Sequence, residues 1–499
     1  MQYILGVDIG TTRCKAVALQ RDGRSLFETS DTYNTIQIEP GQSEQDPKEI
    51  FDSVLRILKE MLDRFVQPAA VSFSAAMHSL LAIDKHGEPI TPAYTWADTR
   101  SNEWALQLRS LPGCQALYER TGTPIHPMSP LCKIMWIRER MPEVFERAAK
   151  FISIKEYVYY QFTGKYLVDH SIASATGLFN IHTKQWDDEA LQLAGITAEQ
   201  LSQPVPVTYS TTAGAHFISR LKKLDKDVPL IIGASDGCLA NLGSGAIFPG
   251  EAALTIGTSG AVRVAVDRVQ SVADQSLFNY ILNEELYIAG GAVSNGAAAM
   301  LWFADNCMPG RFESVEDIIE FMNIANEVPP GAGGLVFLPY LSGERAPFWD
   351  ASARGAFVGL QTAHRPAHMA RAVAEGISFA VYQVLLEVEK NYGTIETLYA
   401  SGGFVISRIW VQMIADITGK RIRVLTLSDA SAMGACFLGM HAISWFTDWK
   451  AIKELIPLYK EYQPIESNHQ FYQKQFEIYR QLYPKLKDNF RELEKLQQQ

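Results

Sequence analysis

An apolar run from Tyr3 to Val7, a polar glycine-containing bend at Asp8-Ile9-Gly10-Thr11-Thr12 and a second run from Ala16 to Leu19 ending at Asp22-Gly23 predict a β-hairpin at the start of the chain. The period then changes. Asp46-Pro47-Lys48-Glu49 supplies a capping acid, a first-turn proline and a glutamate three residues past the cap. Behind it Phe51, Val54, Leu55, Leu58, Met61, Leu62 and Phe65 recur at three- and four-residue spacing, which predicts an amphipathic helix. Ser129-Pro130 opens another, with Ile134, Ile137 and Met141 on one face. The second half is predicted to end in helices over Ala367 to Lys390, Ser407 to Thr418 and Ala430 to Ile443. A tail carrying Phe476, Tyr479, Leu482, Tyr483, Leu486, Phe490 and Leu493 follows, in which Pro484 is expected to kink or interrupt the helix. No heptad is sustained there, so the tail is expected to pack on its own domain, with Gln497 to Gln499 frayed.

One short pattern occurs twice. Ile9-Gly10-Thr11-Thr12 returns 247 residues later as Ile256-Gly257-Thr258-Ser259, followed by Val262, Val264 and Val266 as the first copy is by Val17. That offset is close to half of the chain and suggests two similar halves. With 499 residues, 47% of them hydrophobic, the chain can bury large cores, and we divide it into domains 1-246 and 247-499. Overall the fold class is α/β, hairpins and helices around sheets.

The charge balance changes the list of partners. Acidic residues exceed basic ones by 55 to 45, giving a net charge of -10, which argues against a nucleic-acid or acidic-membrane binder. A small-molecule partner is expected instead. Six cysteines without a CxxC pair suggest neither a zinc cluster nor a disulfide framework, and reduced cytoplasmic thiols fit them. The start MQYILGVDIG lacks the basic segment of a signal peptide. The least charged stretch, Pro229 to Gly260, is broken by Asp236, Pro249 and Glu251, so it reads as strands and turns rather than a membrane helix.

Three groups of residues carry candidate chemistry. The two bends, rich in Gly, Thr and Ser, can turn several backbone N–H groups and hydroxyls toward one anion. No GxxxxGK[ST] or GxGxxG occurs at a strand–helix junction, so neither a P-loop nor a Rossmann site is indicated. Asp8 before the first bend and Asp236 in Ile231-Ile232-Gly233-Ala234-Ser235-Asp236-Gly237 each place an acid where an apolar strand ends. A magnesium ion brought by a nucleotide would supply the counter-charge; a plain capping role is the alternative for each. The third group joins Ser74 to His78, Trp96 to Arg100, and His126 to Pro130 with Lys133, offering polar groups on an apolar support as a sugar pocket requires. Against it, Met77, His78 and Met128 also suit a core, and Asp98 with Arg100 an ion pair. His364 and His368 are four apart beside Arg365, and without a third ligand they read as solvated or capping.

Together these pieces resemble the FGGY family of carbohydrate kinases over nearly the whole chain. The resemblance rests on Asp8-Ile9-Gly10-Thr11-Thr12 with Lys15, on Met128 to Ile137, on Thr255-Ile256-Gly257-Thr258-Ser259, on Gly355 to Leu360, and on Ser401-Gly402-Gly403. Within the family the stretches Ala76 to Leu80, Thr95 to Arg100, Arg120 to Met128, Phe151 to Tyr157, Asp169 to Asn180 and Leu341 to Pro347 look like the gluconate kinases, and Met77-His78 is similar to xylulose kinases as well. Arg140, Phe404 and Ser407 depart from the usual pattern, Ser407 standing where glycerol kinases place an Asn.

The resemblance implies two ribonuclease H-like (actin-like ATPase) domains with MgATP and sugar in the cleft between them. It implies Asp236 as catalytic base. Gly10, Thr11, Thr12, Lys15, Gly257, Thr258, Gly402, Gly403 and Ser407 would meet ATP, and Asp8 and Asp236 would hold Mg2+. Met77, His78, Trp96, Asp98, Met128 and Asp236 would meet the sugar, expected to be gluconate, with Arg100, Lys133, Lys155 and Arg345 as cations for its carboxylate. The expected reaction is ATP-dependent phosphorylation of D-gluconate to 6-phosphogluconate in the cytoplasm. The alternatives are xylulose, ribulose or a polyol as acceptor, or an actin-like ATPase with none. The family's habit of pairing admits a homodimer, for which the chain shows no interface signature.

Overall fold

A computed structural model of the chain describes residues 2–65, 67–214, 221, 223–270, 272, 275–308, 317–425, 429–456 and 458–497. They form two compact units. One comprises Met1–Gly245, Val266–Ile288 and Leu427–Ile456; the other comprises Ala246–Ala265, Ala289–Thr426 and Pro457–Gln499. Two segments from late in the chain thus belong with the first unit, although a single cut at residue 246 assigns them to the second half.

The first unit is built on six strands: β1 (Tyr3–Ile9), β2 (Arg13–Gln20), β3 (Ser25–Thr32), β4 (Ala70–Ala75), β5 (Ser210–Thr211) and β6 (Leu230–Ser235). They lie in the order β5-β6-β4-β1-β2-β3. The predicted hairpin is β1 with β2, antiparallel, while β1 pairs parallel with β4. Every residue of β1 and β4 is buried, as expected of central strands covered on both faces. The predicted helix forms over Pro47–Arg64; the Asp46 carboxylate accepts the Lys48 N–H at its start, and Ile50, Phe51, Val54, Leu58 and Met61 join the sheet's core.

Helix Ala430–Ala442 returns to this unit from late in the chain. It packs on helix Asp236–Ser244 through glycines. A Cβ built on Gly434 would lie 2.0 Å from the Leu239 carbonyl oxygen, one on Gly243 1.8 Å from that of Ala430, and one on Gly6 of β1 2.3 Å from that of Ala432. Backbone meets backbone there, and no side chain fits between. Helix Asp236–Ser244 itself corrects the expectation of only strands and turns from Pro229 to Gly260. Its nine residues, DGCLANLGS, are mostly small, so they carry no apolar stripe to announce a helix.

The second unit repeats the plan. Six of the seven strands in its sheet, β7 (Glu251–Ile256), β8 (Gly260–Val266), β9 (Tyr287–Val293), β10 (Thr397–Ser401), β11 (Arg421–Leu425) and β12 (Leu458–Tyr462), run in the order β12-β11-β10-β7-β8-β9. β7 and β8 form an antiparallel hairpin, β7 and β10 pair in parallel, and β11 is parallel to β10 and antiparallel to β12. The repeated IGT[TS] bends therefore occupy the same place in two sheets of matching order. In register, Asp8 stands between Lys15 and Ser74, whereas the equivalent Thr255 stands between Ala261 and Ser401.

The predicted helices of this half form over Pro366–Tyr392, Arg408–Thr418 and Glu466–Gln497. The first is long and apolar enough to cross a membrane, but 83% of its apolar window is buried inside the protein, as in a core helix. Pro484 does not interrupt the last helix. Side chains on both sides of it hold the chain: Tyr479 bonds the Tyr340 hydroxyl at 3.0 Å, the Tyr483 hydroxyl donates to Asp350 at 2.6 Å, and Phe490 is buried. Tertiary anchoring outweighs the one backbone bond that proline removes.

The glycine contacts set a stability expectation. Gly434→Ala forces a methyl against the Leu239 carbonyl and is expected to cost about 1–3 kcal/mol, as overpacking does. Thermal unfolding checks this: the midpoint should fall, and an unchanged midpoint would mean the two helices have room to part.

Candidate active site

Three elements of the first unit bring carboxylates into electrostatic reach of Asp8. Asp8 lies near the end of β1, Asp236 is the first residue of helix Asp236–Ser244, and Asp429 caps helix Ala430–Ala442. Lys15, opposite Asp8 on β2, forms an ion pair with Asp429 Oδ2. Asp8 is buried and accepts the Ser74 hydroxyl at 2.5 Å. Burial raises its pKa first, the charges of Asp429 and Asp236 add to that, and Ser74 and Lys15 oppose it; the result is a carboxyl pushed up to about 8.

Asp236 is aimed by the strand before it. β6 slips register against β4 between Ile231 and Ala234, and Gly233 within that slip has φ +74°. A Cβ on Gly233 would lie 1.7 Å from the Phe73 carbonyl oxygen, so only glycine makes this bulge. The next residues are pinned: the Lys155 ammonium bonds the Ala234 carbonyl at 3.0 Å and Asp169 at 2.8 Å, and the Ser235 N–H donates to Ser171 Oγ at 3.1 Å. Asp236 Oδ1 then accepts the Gly237 N–H at 2.7 Å, and its carbonyl accepts the Ser431 hydroxyl at 3.1 Å.

Both bends have their carbonyls tied inward. In the first, Tyr33 takes the Gly10 carbonyl through its hydroxyl and that of Thr12 through its N–H, while the Gln45 amide takes that of Thr11. In the second, the Ala297 N–H takes the Gly257 carbonyl at 2.8 Å, and the Gly296 and Ala298 N–H groups take that of Thr258. Carbonyl dipoles committed this way are not presented to an anion, whereas Thr12 and Thr258 are exposed. Gly402, at φ +98°, lies against this second bend: a Cβ there would sit 2.4 Å from the Ile256 carbonyl oxygen. Gly403 opens a short 3-10 turn, and Ser407 is buried, its Oγ accepting the Trp410 N–H at the start of helix Arg408–Thr418.

The sugar-pocket group is gathered by a buried ammonium. Lys133 donates to the carbonyls of His78 and Thr95 at 2.7 Å and of Met128 at 2.8 Å, so one side chain ties together all three stretches of that group. Burial pushes the Lys133 pKa down to about 7. Half-buried Trp96 reaches the first bend, its indole N–H donating to Thr11 Oγ1 at 3.0 Å. His78 is buried, with Nδ1 2.7 Å from the Ala175 carbonyl and Nε2 3.4 Å from the Tyr280 hydroxyl. Half-buried Met77 packs beside Val168, Ile172 and Phe179. Asp98 and Met128 turn inward: Asp98 accepts the Ser43 N–H and pairs with Arg100, which also pairs with Glu44, while Met128 is 1% exposed. The four cations considered for a substrate carboxylate all have partners inside their own unit, Arg345 donating to the Val293 carbonyl. His364 accepts the Gln361 N–H at 3.0 Å in the loop before helix Pro366–Tyr392, whose start has no side-chain cap bond.

Asp429 is the member of this site that sequence reasoning missed. Its position just before a predicted helix marks it as a cap, but nothing local announces a partner 414 residues away. Ser74, grouped with the sugar pocket on sequence, serves Asp8 instead.

Comparison with known proteins bears on this geometry. Residues 3–243 match the N-terminal domain of the FGGY family of carbohydrate kinases, and residues 252–443 match its C-terminal domain. The gluconokinase of Bacillus subtilis (strain 168) is 39% identical over 487 residues, covering 96% of this chain and 94% of that protein. Among solved structures, a xylulose kinase from Lactobacillus acidophilus superposes with a TM-score of 0.93 at 35% identity, covering 99% of this chain and 100% of that one. A gluconate kinase from the same organism gives 0.92 at 36%, covering 99% of each chain. The chain belongs to the FGGY family and is a carbohydrate kinase. Its two-domain α/β fold is that of the family.

The raised Asp8 pKa has a measurable sign. The folded protein keeps this proton where the unfolded chain, at the ordinary 3.8, has lost it, so stability falls as pH rises from about 4 to about 8. Asp8→Asn removes the buried charge. In the ligand-free protein it is expected to raise the thermal midpoint at pH 8 by several degrees and much less at pH 5; an equal fall at both would refute the electrostatic account.

Proposed function

We propose that this protein transfers the γ-phosphoryl group of ATP to the 6-hydroxyl of D-gluconate, giving 6-phosphogluconate. The observation that carries the transfer chemistry is that Lys15 and Asp236, from two other elements of the same unit, both act electrostatically on the buried Asp8. Phosphoryl transfer needs positioning and neutralised charge more than covalent help. In this reading Lys15, Thr11 and Thr12 take phosphate oxygens, while Gly257, Thr258, Gly402 and Gly403 form a second bend of the glycine- and threonine-rich kind that suits a nucleotide. Ser407, spent on its helix cap, then shapes the nucleotide site rather than bonding it.

Magnesium fits the donor set. No group of three His, Cys, Asp or Glu side chains among the described residues can hold a metal unaided. Mg2+ usually takes one or two carboxylates and fills its sphere with water and substrate phosphates, so Asp8 and Asp236 would hold it, directly or through water. When bound it neutralises charge building on the phosphates. Asp236 accepts the proton of the sugar hydroxyl as its oxygen attacks the γ-phosphorus and the bond to the bridging oxygen of ADP breaks. Met77, His78 and Trp96 form the wall for the sugar, braced by the Lys133 bonds. Six free cysteines fit a reducing cytoplasm.

Gluconate as acceptor is supported by the gluconokinase relative and the gluconate kinase structure, and the similar xylulose kinase makes xylulose the second reading. Initial rates with MgATP across gluconate, xylulose, ribulose, glycerol and no acceptor decide. We expect the highest kcat/KM with gluconate; a preference for xylulose would install the second reading, and turnover indifferent to any acceptor would refute both.

Asp236→Asn tests the base. It should unfold at no lower a temperature and lose about 10²–10⁴ of turnover, the usual contribution of a general base. Full activity would remove Asp236 from proton transfer.

A further inference from the structure

We infer that Asp429 is a positioning residue: its Oδ2 holds the Lys15 ammonium at the first bend for the nucleotide phosphates, while its Oδ1 caps helix Ala430–Ala442. The inference rests on the reading of Lys15 as a phosphate ligand. The two oxygens have separate tasks. Oδ1 accepts the Ala432 N–H at 2.8 Å, and Oδ2 forms the ion pair with Lys15.

Lysine is a flexible four-carbon stem ending in a point charge, so its direction is set by what it touches. Lys15 is about one-third exposed, at 34%, while the Asp429 side chain is only 9% exposed. Asp429 is the rigid partner. Its backbone is fixed by the helix it starts, by the Ser431 hydroxyl on the Asp236 carbonyl, and by the contact of Gly434 with Leu239. The ion pair therefore fastens Lys15 to the same frame that carries Asp236. An ammonium has three N–H donors and this pair uses one.

Substitutions can separate the two tasks. Asn caps helices as well as Asp but carries no charge, whereas Glu keeps the charge and caps poorly. Binding of magnesium β,γ-imido-ATP to the full-length protein, without acceptor, is measured by calorimetry beside thermal unfolding. Asp429→Asn should keep the thermal midpoint and weaken binding about tenfold, the scale of one charge-assisted bond. Asp429→Glu should bind as the parent does and unfold at a lower temperature. Lys15→Met should weaken binding at least as much as Asp429→Asn.

If Lys15→Met weakens binding and Asp429→Asn does not, the inference is wrong and the phosphate role of Lys15 stands. If Lys15→Met binds as the parent does, that role fails and the inference with it. Binding that tracks thermal stability across both Asp429 variants would reduce Asp429 to a helix cap.

Discussion

Burial of Asp8 beside two other carboxylates is the constraint that the acidic end of the first unit has to meet. Asp8 is buried within reach of the charges of Asp236 and Asp429, and Lys15 is the cation set among them. Burying like charges is unfavourable unless other groups offset it. Ser74 offers a hydroxyl to Asp8, and the Gly233 bulge and the Lys155–Asp169 pair hold the chain on the way to Asp236.

Buried lysines do a second kind of work here. Lys133 meets three backbone carbonyls, and only the protonated form supplies three N–H donors. Burial pushes its pKa down, and the charge of Asp98 is the first influence to oppose that push. Lys133 and Lys155 are thus braces, one for the wall formed around His78, Thr95 and Met128, the other for the approach to Asp236. A cation in a pocket segment is more readily used to fasten backbone than to greet a substrate when its neighbours are carbonyls.

Much of this was legible in the chain. The hairpin at Tyr3, the capped helix after Asp46 and the repeated bend all follow from local patterns of period, cap and glycine, and the structure forms each of them. Helix Asp236–Ser244 was hidden because small residues give no periodic stripe, and the uninterrupted tail helix because its anchors Tyr340 and Asp350 are distant in sequence. The candidate site divides in the same way. Strand-end acids and glycine bends are local signals, whereas the pairing of Lys15 with Asp429 and the inward turn of Asp98 depend on contacts that only the fold brings about.

The matching order of the two sheets has a further consequence. Where one copy places an acid opposite a lysine, Asp8 and Lys15, the other places a threonine opposite an alanine, Thr255 and Ala261. At this register position the acid–lysine pair occurs in one sheet only. There the Thr255 and Ser401 hydroxyls lie 3.0 Å apart, so the second sheet holds an uncharged hydroxyl pair at the register position where the first holds an acid and its lysine.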